Sequence, residues 1–517
     1  MDRTIAALLL ALFFLQSHLG IRSESMTFDE GTAIGSSFLA FRKGDVSLAH
    51  ERPPLLGLFT TLPLVLSGDV KLPKIGDAEE RTADVAFGDA LMHEAGNDTI
   101  RILKVCRYTV LLLSLLLGFL IYRWSRRLGG RWAGFLALSL FAFCPNLLAH
   151  SRIAANDMMS TIFVFVALEA LDRFLTKPGK WCGVWAGAAL GFALSAKLSS
   201  WVIVPVYLAA LAYELREWRE RKPEALQWLK RFGVLFFVAV VGIGATMGGM
   251  FDYATYCAGF GKIYQGTNAV YPWYLGGDVS FSPWWYYHLY ALFIKTPIPL
   301  LLLFLLGVTV LFRDRSRWKT AAIVLSPAAL FLAASCFDRT NLGVRRVLPV
   351  YPFLILAASQ AVTVPLERIA KIVLFAFLGL WQVVSVGRVV PHHLSYFNEW
   401  IGGPGNGIRF LDDSNIDWGQ DLPSLKRWLD AHPGLDVRLG YFGMARPATY
   451  GISLPSMVDQ EEVCAPRKTA YAVSAHRLAF FEKVARTRGA TCSWLTRYTP
   501  VDRVAYSIYI YDFRDKL

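Results

Sequence analysis

Two adjacent carboxylates, Asp29 and Glu30, stand a few residues after the first apolar segment of the chain, which covers residues 5–19. Placing carboxylates at the end of a membrane helix costs free energy unless water or a partner residue contacts them. The pair therefore marks either a solvated helix boundary or a group that accepts a proton during catalysis. The rest of the chain favours the second interpretation, because single charges recur at the same ends of its later apolar segments.

These further groups come from the first loop and from the ends of later segments. They are His50, Glu51, Arg52, Arg152, Asp157, Lys197, His288, Lys295, Arg345 and Arg346. Each one alone is explained by snorkelling or by contact with solvent. Collected at one face of a membrane, they predict a site in which acids face cations.

Acids that face cations suit the transfer of a sugar from a lipid phosphate. A carboxylate takes the proton from the acceptor hydroxyl, and fixed cations stabilise the departing phosphate. Arginine binds a phosphate through its planar fork, and lysine binds it as a point charge. Because the phosphate is already a good leaving group, this chemistry requires no protein acid.

The composition places these residues in a polytopic α-helical membrane protein. The 517 residues are 54% hydrophobic and 18% charged, with a mean hydropathy of +0.39. A soluble domain of this length carries more charge and does not stack long apolar runs. The net charge of +13 does not indicate nucleic-acid binding, because the basic residues lie in short loops between apolar runs and no binding motif accompanies them.

About eleven segments approach the ~20 apolar residues that a bilayer requires. They lie near residues 4–20, 103–122, 132–149, 157–174, 181–196, 200–213, 232–250, 290–312, 320–336, 347–363 and 371–388. Lysine and arginine crowd loops that all fall on one side if the N-terminus is cytoplasmic. This orientation places residues 22–101, 251–288 and 389–517 outside the cytoplasm. The first outside segment is expected to hold interfacial helices, for example at residues 31–41.

The sequence thus predicts a membrane domain at residues 1–388 and a small soluble α/β domain at residues 389–517. Cys464 and Cys492 lie in the second domain, and they either form a disulfide, if that domain is extracytoplasmic, or stay free. The first apolar run also resembles a signal peptide, but an uncleaved helix is the better interpretation because it holds Asp29 in place. The strand-like runs of the soluble domain, which alternate with helical runs, lie at residues 437–442, 470–473 and 506–511.

Short motifs spread over most of the chain carry a family resemblance. They are Phe28-Asp29-Glu30, His50-Glu51-Arg52-Pro53-Pro54, the stretches 152–157 and 191–197, and Arg345-Arg346 followed by Pro349, Tyr351 and Pro352. In these motifs the chain resembles the GT-C superfamily of polytopic glycosyltransferases, in particular bacterial relatives of protein O-mannosyltransferases and of lipid A aminoarabinose transferases. Residues 396–404 and 413–421, the latter reading DSNIDWGQD, look like a stretch shared by a bacterial subgroup, and we know no role for it.

The resemblance implies that Asp29 is the catalytic base and that Asp157 helps to shape the site, and we place Glu30 in the same catalytic group. The pattern Glu-Lys-Pro of the aminoarabinose enzymes appears here as Glu51-Arg52-Pro53. Arg52, in the place of the lysine, keeps the positive charge that binds phosphate. A metal-binding role of Glu51 comes into doubt with this change. Whether the protein uses a divalent metal ion as a cofactor therefore stays open. The residues expected to bind substrate are His50, Glu51, Arg52, Arg152, Lys197, His288, Lys295, Arg345, Arg346 and Tyr351.

The resemblance also implies a polyprenyl- or dolichyl-phosphate-linked sugar as donor, inversion at the anomeric carbon, and a location in the bacterial inner membrane. The membrane lipid and an acceptor are the expected partners, and nucleic acid is not. The acceptor stays open between protein, lipid and glycan. Members that mannosylate proteins usually carry other C-terminal helices or domains, so the soluble tail puts a protein acceptor in doubt.

The tail is predicted to recruit the acceptor or to cover the site, with catalysis confined to the membrane domain. The glycine-rich run 402–407 provides a flexible turn after the last helix. The acidic residues of the tail form either a solvated face or contacts to a metal or sugar; they are Asp412, Asp413, Asp417 and Asp421.

Two other classes of protein compete with the transferase. A lipid or polysaccharide transporter would grip a phosphate with the same basic residues, but transporters are commonly built from inverted repeats with sites at the midplane. Neither feature is visible in the sequence. A membrane anchor for a binding tail leaves the charges of the loop and helix ends unexplained.

Overall fold

The computed structural model describes residues 2–48, 53–73, 83–177, 179, 181–217, 221–247, 251–267, 272–486 and 492–514. Helices dominate these residues. The longer helices are Asp2–Ser23, Glu30–Lys43, Ala83–His93, Thr99–Ala142, Asn156–Thr176, Cys182–Ala196, Val204–Glu217, Lys222–Thr246, Tyr253–Thr267, Tyr287–Lys295, Ile298–Arg313, Trp318–Ser335, Tyr351–Ser359, Arg368–Gly387, Leu422–Ala431 and Ala475–Arg486. Shorter helices and 3₁₀ turns connect them, among them Leu55–Thr60, Leu62–Ser67, Pro145–His150, Leu198–Ile203, Val344–Val350 and Asp413–Asn415.

All the predicted apolar segments fall on helices. By length and composition, seven of the described helices can cross a membrane, or eight if the bent pair Tyr287–Lys295 and Ile298–Arg313 forms one span. The pair is bent by 109° at the Pro297 break. Proline cannot donate to the helix ladder, so a break at this position is expected. The count of eleven spans remains a prediction.

Helix Thr99–Ala142 is a hairpin of two arms. Its 44 residues contain one non-helical position, Gly130, with φ 83° and ψ −175°. A positive φ of this size favours glycine. A Cβ atom added at Gly118 would lie 2.5 Å from the ring of Phe141, so the two arms lie side by side. The hairpin agrees with the two separate apolar segments predicted here.

Close contact between two helices fixes the part of the chain that carries Lys197. Gly187 and Gly191 of helix Cys182–Ala196 face the backbone of helix Lys222–Thr246. A Cβ atom on Gly187 would lie 2.4 Å from a carbonyl oxygen of the facing helix, and one on Gly191 would lie 2.7 Å from another. Small residues let membrane helices approach this closely. The end of Cys182–Ala196, directly before Lys197, is thereby held in position.

The helix predicted on the membrane surface at residues 31–41 is buried instead, so that prediction was wrong. It corresponds to Glu30–Lys43, whose residues from Glu30 onward for three turns are all buried. The helix packs against Ala83–His93. Its polar side chains are short, and Ser36 donates to the carbonyl of Thr32 within the same helix. A hydroxyl satisfied in this way can be buried without a second partner.

The C-terminal region contains the predicted small sheet. Val437–Gly440 pairs in parallel with Ala470–Ser474, and the remaining pairs are antiparallel. Cys464 is bonded to Cys492 beside this sheet, so the two cysteines take the disulfide alternative. The four strands stand in the order Val437–Gly440, Ala470–Ser474, Ile508–Asp512 and Asp502–Val504, and a separate hairpin joins Trp273–Leu275 to Asp278–Ser280.

Candidate active site

A cavity of about 610 Å³ lies where the segment after the first helix meets the ends of several membrane helices. We call it the membrane cavity. Its wall contains apolar residues such as Phe260 and Phe331 as well as polar ones. The charged residues in the wall are Asp29, Asp157, Lys197, Asp338, Arg345 and Arg346.

Acids and cations alternate along one side of the membrane cavity. The Arg345 guanidinium lies 2.5 Å from an oxygen of Asp29 and 3.6 Å from an oxygen of Asp157. The Lys197 ammonium lies 2.5 Å from the other oxygen of Asp157. Arg345 therefore holds two carboxylates that come from distant parts of the sequence. The alternation lets several charges share one partly buried site.

The local structure explains why these side chains meet. Asp157 stands in the first turn of helix Asn156–Thr176, and Lys197 directly follows helix Cys182–Ala196. The Asn156 amide donates to the carbonyl of Ala196 at 3.0 Å, which ties the two helix ends together. Asp157 and Lys197, which directly follow Asn156 and Ala196, are therefore neighbours in space.

Arg346 and Asp338 also line the membrane cavity. Arg346 makes no side-chain hydrogen bond among the described residues, although its charge acts on Lys197 and Asp338. Burial alone would raise the pKa of Asp338, but the charge of Arg346 and hydrogen bonding from Thr340 lower it overall. Lys197 and Arg346 thus both line the membrane cavity, and both have N–H donors beyond those used in the contacts described here. Lysine has three donors, and Asp157 occupies one of those of Lys197.

Glu30 does not join the membrane cavity, although it neighbours Asp29. Its carboxylate forms an ion pair with Arg107 at 2.6 Å, and both side chains are 0% exposed. The same carboxylate accepts hydrogen bonds from the backbone N–H groups of Thr27 and Ala154. Asp29 and Glu30 point in different directions because the helix Glu30–Lys43 begins between them.

Arg152 and Lys295 were predicted to bind substrate, but both are buried in structural contacts. The guanidinium of Arg152 pairs with Glu24 at 2.5 Å and also donates to the carbonyl of Pro391. The ammonium of Lys295 donates to the carbonyls of Leu394 and Asn415. Both cations therefore attach the beginning of the tail to the membrane helices, and neither lines the membrane cavity.

Tyr351 and His288 also lie outside the wall of the membrane cavity. The Tyr351 hydroxyl is buried between the side chains of Asn146 and Thr296. His288 is buried, with its Nδ1 atom 3.3 Å from the carbonyl of Ser335. The remaining predicted residues, His50, Glu51 and Arg52, lie outside the described residues.

The acidic residues of the tail do not form a solvated face. Asp412, Asp413, Asp417 and Asp421 are 3%, 7%, 1% and 1% exposed. Burial raises the pKa of Asp417 to about 7, against hydrogen bonds that lower it. Asp412 lies 2.9 Å from His476; burial raises the pKa of Asp412, and this hydrogen bond lowers it only in part. These acids hold the tail together internally.

Trp418, within the DSNIDWGQD string, reaches the cluster of acids and cations. The Arg345 guanidinium lies 4.4 Å from the centroid of its ring. The backbone carbonyl of Trp418 accepts from the N–H of Phe28 at 2.9 Å. One tail residue therefore supports Arg345 with its side chain and the segment before Asp29 with its backbone.

A second residue of the string, Asn415, fixes the turn before Arg345. Its Oδ1 atom accepts from the N–H of Val344 at 3.0 Å, and its amide donates to the Tyr287 hydroxyl. Gly343 has φ 101°, and a Cβ atom there would lie 2.5 Å from the Ser414 hydroxyl, so this position requires glycine. The string therefore forms the support for Arg345.

The structure bears on whether the protein holds a divalent metal ion. Within the described ranges, no group of three or more His, Cys, Asp or Glu side chains could hold a metal ion. His50 and Glu51, which raised the question, are not among those residues.

Two comparisons bear on the kind of protein that carries this site. Residues 101–243, which include Asp157 and Lys197, match the family model described as dolichyl-phosphate-mannose-protein mannosyltransferase. The structure is similar to ArnT from Cupriavidus metallidurans in the apo state, with 13% sequence identity, a TM-score of 0.50 and coverage of 98% of this chain and 97% of that chain. The chain is a glycosyltransferase with the GT-C fold.

Two further solved structures resemble this glycosyltransferase with lower TM-scores. ArnT from the same organism bound to undecaprenyl phosphate has a TM-score of 0.48 at 13% identity, with coverage of 98% and 97%. The oligosaccharyltransferase of Archaeoglobus fulgidus in the apo form has a TM-score of 0.40 at 11% identity, covering 73% of this chain and 54% of that chain. A comparison with curated protein sequences gives no match. The glycosyltransferase is an integral membrane protein, and the prediction of an enzyme is confirmed.

We expect Trp418→Leu to lower the turnover of this glycosyltransferase about 10- to 100-fold, because a shift of about 1 Å in catalytic groups has an effect of this size. Trp418→Phe keeps an aromatic face under Arg345 and should recover part of the rate. The matched control is Trp400→Leu, which removes a tail tryptophan that stacks on Phe293 instead. Equal turnover of the Trp418→Leu and Trp400→Leu proteins would contradict a positioning role of Trp418.

Proposed function

We propose that the protein transfers a sugar from a polyprenyl-phosphate carrier to an acceptor hydroxyl at the outer face of the membrane. The observation that carries this proposal is the membrane cavity, where three carboxylates and three cations meet. The family model that matches residues 101–243 is described by a lipid-phosphate-linked sugar, which supports a donor of this class.

Asp29 is the general base in this proposal. It takes the proton from the acceptor hydroxyl while the oxygen attacks the anomeric carbon, and the bond from that carbon to the phosphate oxygen breaks. The sugar inverts, and the lipid phosphate leaves with the bonding electrons. The Asp29 side chain is 18% exposed, so an acceptor can reach it from the membrane cavity. Arg345 orients the carboxylate through its contact with Asp29.

Lys197 and Arg346 bind the donor phosphate in this proposal. Both line the membrane cavity, and both retain donors beyond the contacts described above. Arg345 is less suited to the phosphate because it already holds Asp29 and Asp157. Asp157 fixes Lys197 and Arg345 and does not need to exchange protons. Of the basic residues expected from the sequence to bind substrate, the proposal therefore assigns two to the phosphate, and Arg52 lies outside the described residues.

The proposal places the site at the outer face, with a cytoplasmic N-terminus and the tail outside. The Cys464–Cys492 disulfide supports this orientation, because disulfides persist in oxidising compartments. The tail at residues 389–517 has two parts in this proposal. Residues 412–421 support the catalytic groups, so catalysis is not confined to residues 1–388, while the sheet that follows contacts the acceptor.

Arg346→Gln should weaken donor binding about 10- to 100-fold, since a hydrogen bond to a charged group contributes about 1.5–3 kcal/mol. Turnover at saturating donor should change less than affinity. Arg313→Gln is the matched control, because Arg313 is an exposed cation at the end of helix Ile298–Arg313, next to a loop predicted to be cytoplasmic. Measuring the affinity of both variants for a polyprenyl-phosphate sugar separates phosphate binding from a topological role. Loss of protein yield with unchanged affinity would assign Arg346 to topology.

The function is tested by incubating the purified protein with a panel of polyprenyl-phosphate sugars. We expect at least one donor to release free lipid phosphate and to give a product of inverted anomeric configuration. Hydrolysis by water serves as a readout where the acceptor is missing. Retention of configuration, or release of lipid phosphate from none of the donors, would contradict the proposal.

A further inference from the structure

A second cavity, of about 670 Å³, lies in the tail and is separate in its lining from the membrane cavity. We call it the tail cavity. One wall is the face of strand Ile508–Asp512 that carries Tyr509 and Tyr511, which share a side because strand side chains alternate. The residues used below are His392, Arg409, Arg503, Tyr506, Tyr509 and Tyr511, all of which line it.

Tyr511 lines this cavity and carries a buried hydroxyl. The residue is 1% exposed, and its hydroxyl has no hydrogen-bond partner among the described residues. Burial raises the pKa of Tyr511, so the group stays a neutral hydroxyl. Buried polar groups nearly always have a partner. An unpaired hydroxyl in a cavity wall therefore indicates a place where a ligand supplies the partner.

Two arginines stand at the mouth of the tail cavity. Arg503 lies over the rings of Tyr506 and Tyr509, 5.6 Å and 5.7 Å from their centroids, and donates to the carbonyl of Gly405 at 2.6 Å. Arg409 is exposed, and its guanidinium makes no hydrogen bond in the described part of the chain. The lining also holds one carboxylate, Asp502, so the two guanidinium groups leave an excess of positive charge that favours an anion.

The turn that presents Tyr506 is strained. Ala505 and Tyr506 have φ values of 52° and 68°. Non-glycine residues in this region are strained and cluster at functional sites. The Ser507 hydroxyl holds the turn by donating to Asp421 at 2.6 Å. Asp421 also lies 3.2 Å from His392, another residue of the cavity wall.

We propose that the tail cavity binds a sugar that carries an anionic group, either a phosphate or a carboxylate. The tyrosine rings pack against the apolar face of the sugar, the Tyr511 hydroxyl pairs with a sugar hydroxyl, and Arg409 with Arg503 binds the anion. Ligand sites commonly combine aromatic walls with a few polar groups in this way. The inference goes beyond the proposed function, because binding at this cavity requires no sugar transfer.

Direct binding to the full-length protein in detergent tests the inference. Glucose 1-phosphate and galacturonate represent the two anionic groups, while glucose and inorganic phosphate represent the sugar and the anion alone. We expect one or both anionic sugars to bind at least about tenfold more tightly than glucose or inorganic phosphate. The affinity should fall about tenfold or more in Arg409→Gln and several-fold in Tyr511→Phe.

Controls assign the site. Tyr511→Phe removes only the hydroxyl, and an unchanged unfolding temperature shows that the tail is intact. Lys197→Gln changes the membrane cavity and should leave the affinity for the anionic sugars unaltered. The inference is overturned if glucose or inorganic phosphate binds as well as the anionic sugars, if neither tail variant loses affinity, or if Lys197→Gln loses it instead. Since turnover is not measured, failure here is distinct from failure of the proposed function.

Discussion

Replacing Asp29 by asparagine should lower turnover about 10²- to 10⁴-fold, the effect expected when a general base is removed. Asparagine keeps the size of the side chain and can still contact Arg345, but it cannot accept the proton of the acceptor hydroxyl. Donor affinity should stay near that of the wild type, because Lys197 and Arg346 bind the phosphate in our proposal. The rate of lipid phosphate release and the donor affinity are measured on the same preparation.

Asp45→Asn provides the control for this substitution, since Asp45 is an exposed acid of the same outside segment. Its turnover should equal that of the wild type. Wild-type turnover in a correctly inserted Asp29→Asn protein would remove Asp29 from the mechanism. A loss of rate accompanied by a lower unfolding temperature would assign Asp29 to folding instead.

Glu30→Gln should destabilise the protein by about 3–5 kcal/mol, although the substitution is one residue away from Asp29. The change leaves the Arg107 guanidinium buried without a counter-charge. It also places an amide group among the N–H groups of Thr27, Ala154 and Arg107, which now donate to the carboxylate. Unfolding in denaturant, compared with Asp29→Asn, measures the difference.

The double variant Glu30→Met with Arg107→Met removes both charges and should recover part of the lost stability. The recovery is partial because the backbone donors of Thr27 and Ala154 lose their acceptor. If Glu30→Gln unfolds like the wild type but loses turnover, Glu30 acts in catalysis and our structural assignment is wrong.

The fold was largely predictable because membrane helices leave a strong pattern. Long apolar runs located the helices, and the strand-like runs of the tail located three of the four strands of its sheet. The buried helix Glu30–Lys43 was not predictable, since its serine and threonine hydroxyls resemble a water-facing side. A hydroxyl bonded within its own helix looks the same in the sequence as one that faces water.

The site was predictable in part, because helix ends at one face bring their charges together. This argument brought together Asp29, Asp157, Lys197, Arg345 and Arg346, which line one cavity in the structure. It failed to separate them from Arg152 and Lys295, which occur at similar helix ends. The difference is the partner: the Glu24 carboxylate forms an ion pair with Arg152, and tail carbonyls accept hydrogen bonds from Lys295. No spacing in the sequence reveals such pairs.

The tail residues that support Arg345 could be recognised in the sequence only as part of a specific string with no known role. DSNIDWGQD was noticed for its specificity, yet its acids were taken for a solvated face or for metal or sugar contacts. The structure buries them and presents Trp418 and Asn415 to the segment that carries Arg345. Contacts between residues this far apart in sequence depend on tertiary packing, which local patterns do not encode.

The position of a bound lipid phosphate tests the central claim most directly. We would determine the structure of the full-length protein in lipid nanodiscs with undecaprenyl phosphate by electron cryo-microscopy. The account predicts that the phosphate lies in the membrane cavity, about 3 Å from donor atoms of Lys197 or Arg346, on the side that Asp29 faces. A phosphate held elsewhere, with Lys197, Arg346 and Asp29 unchanged, would contradict the account.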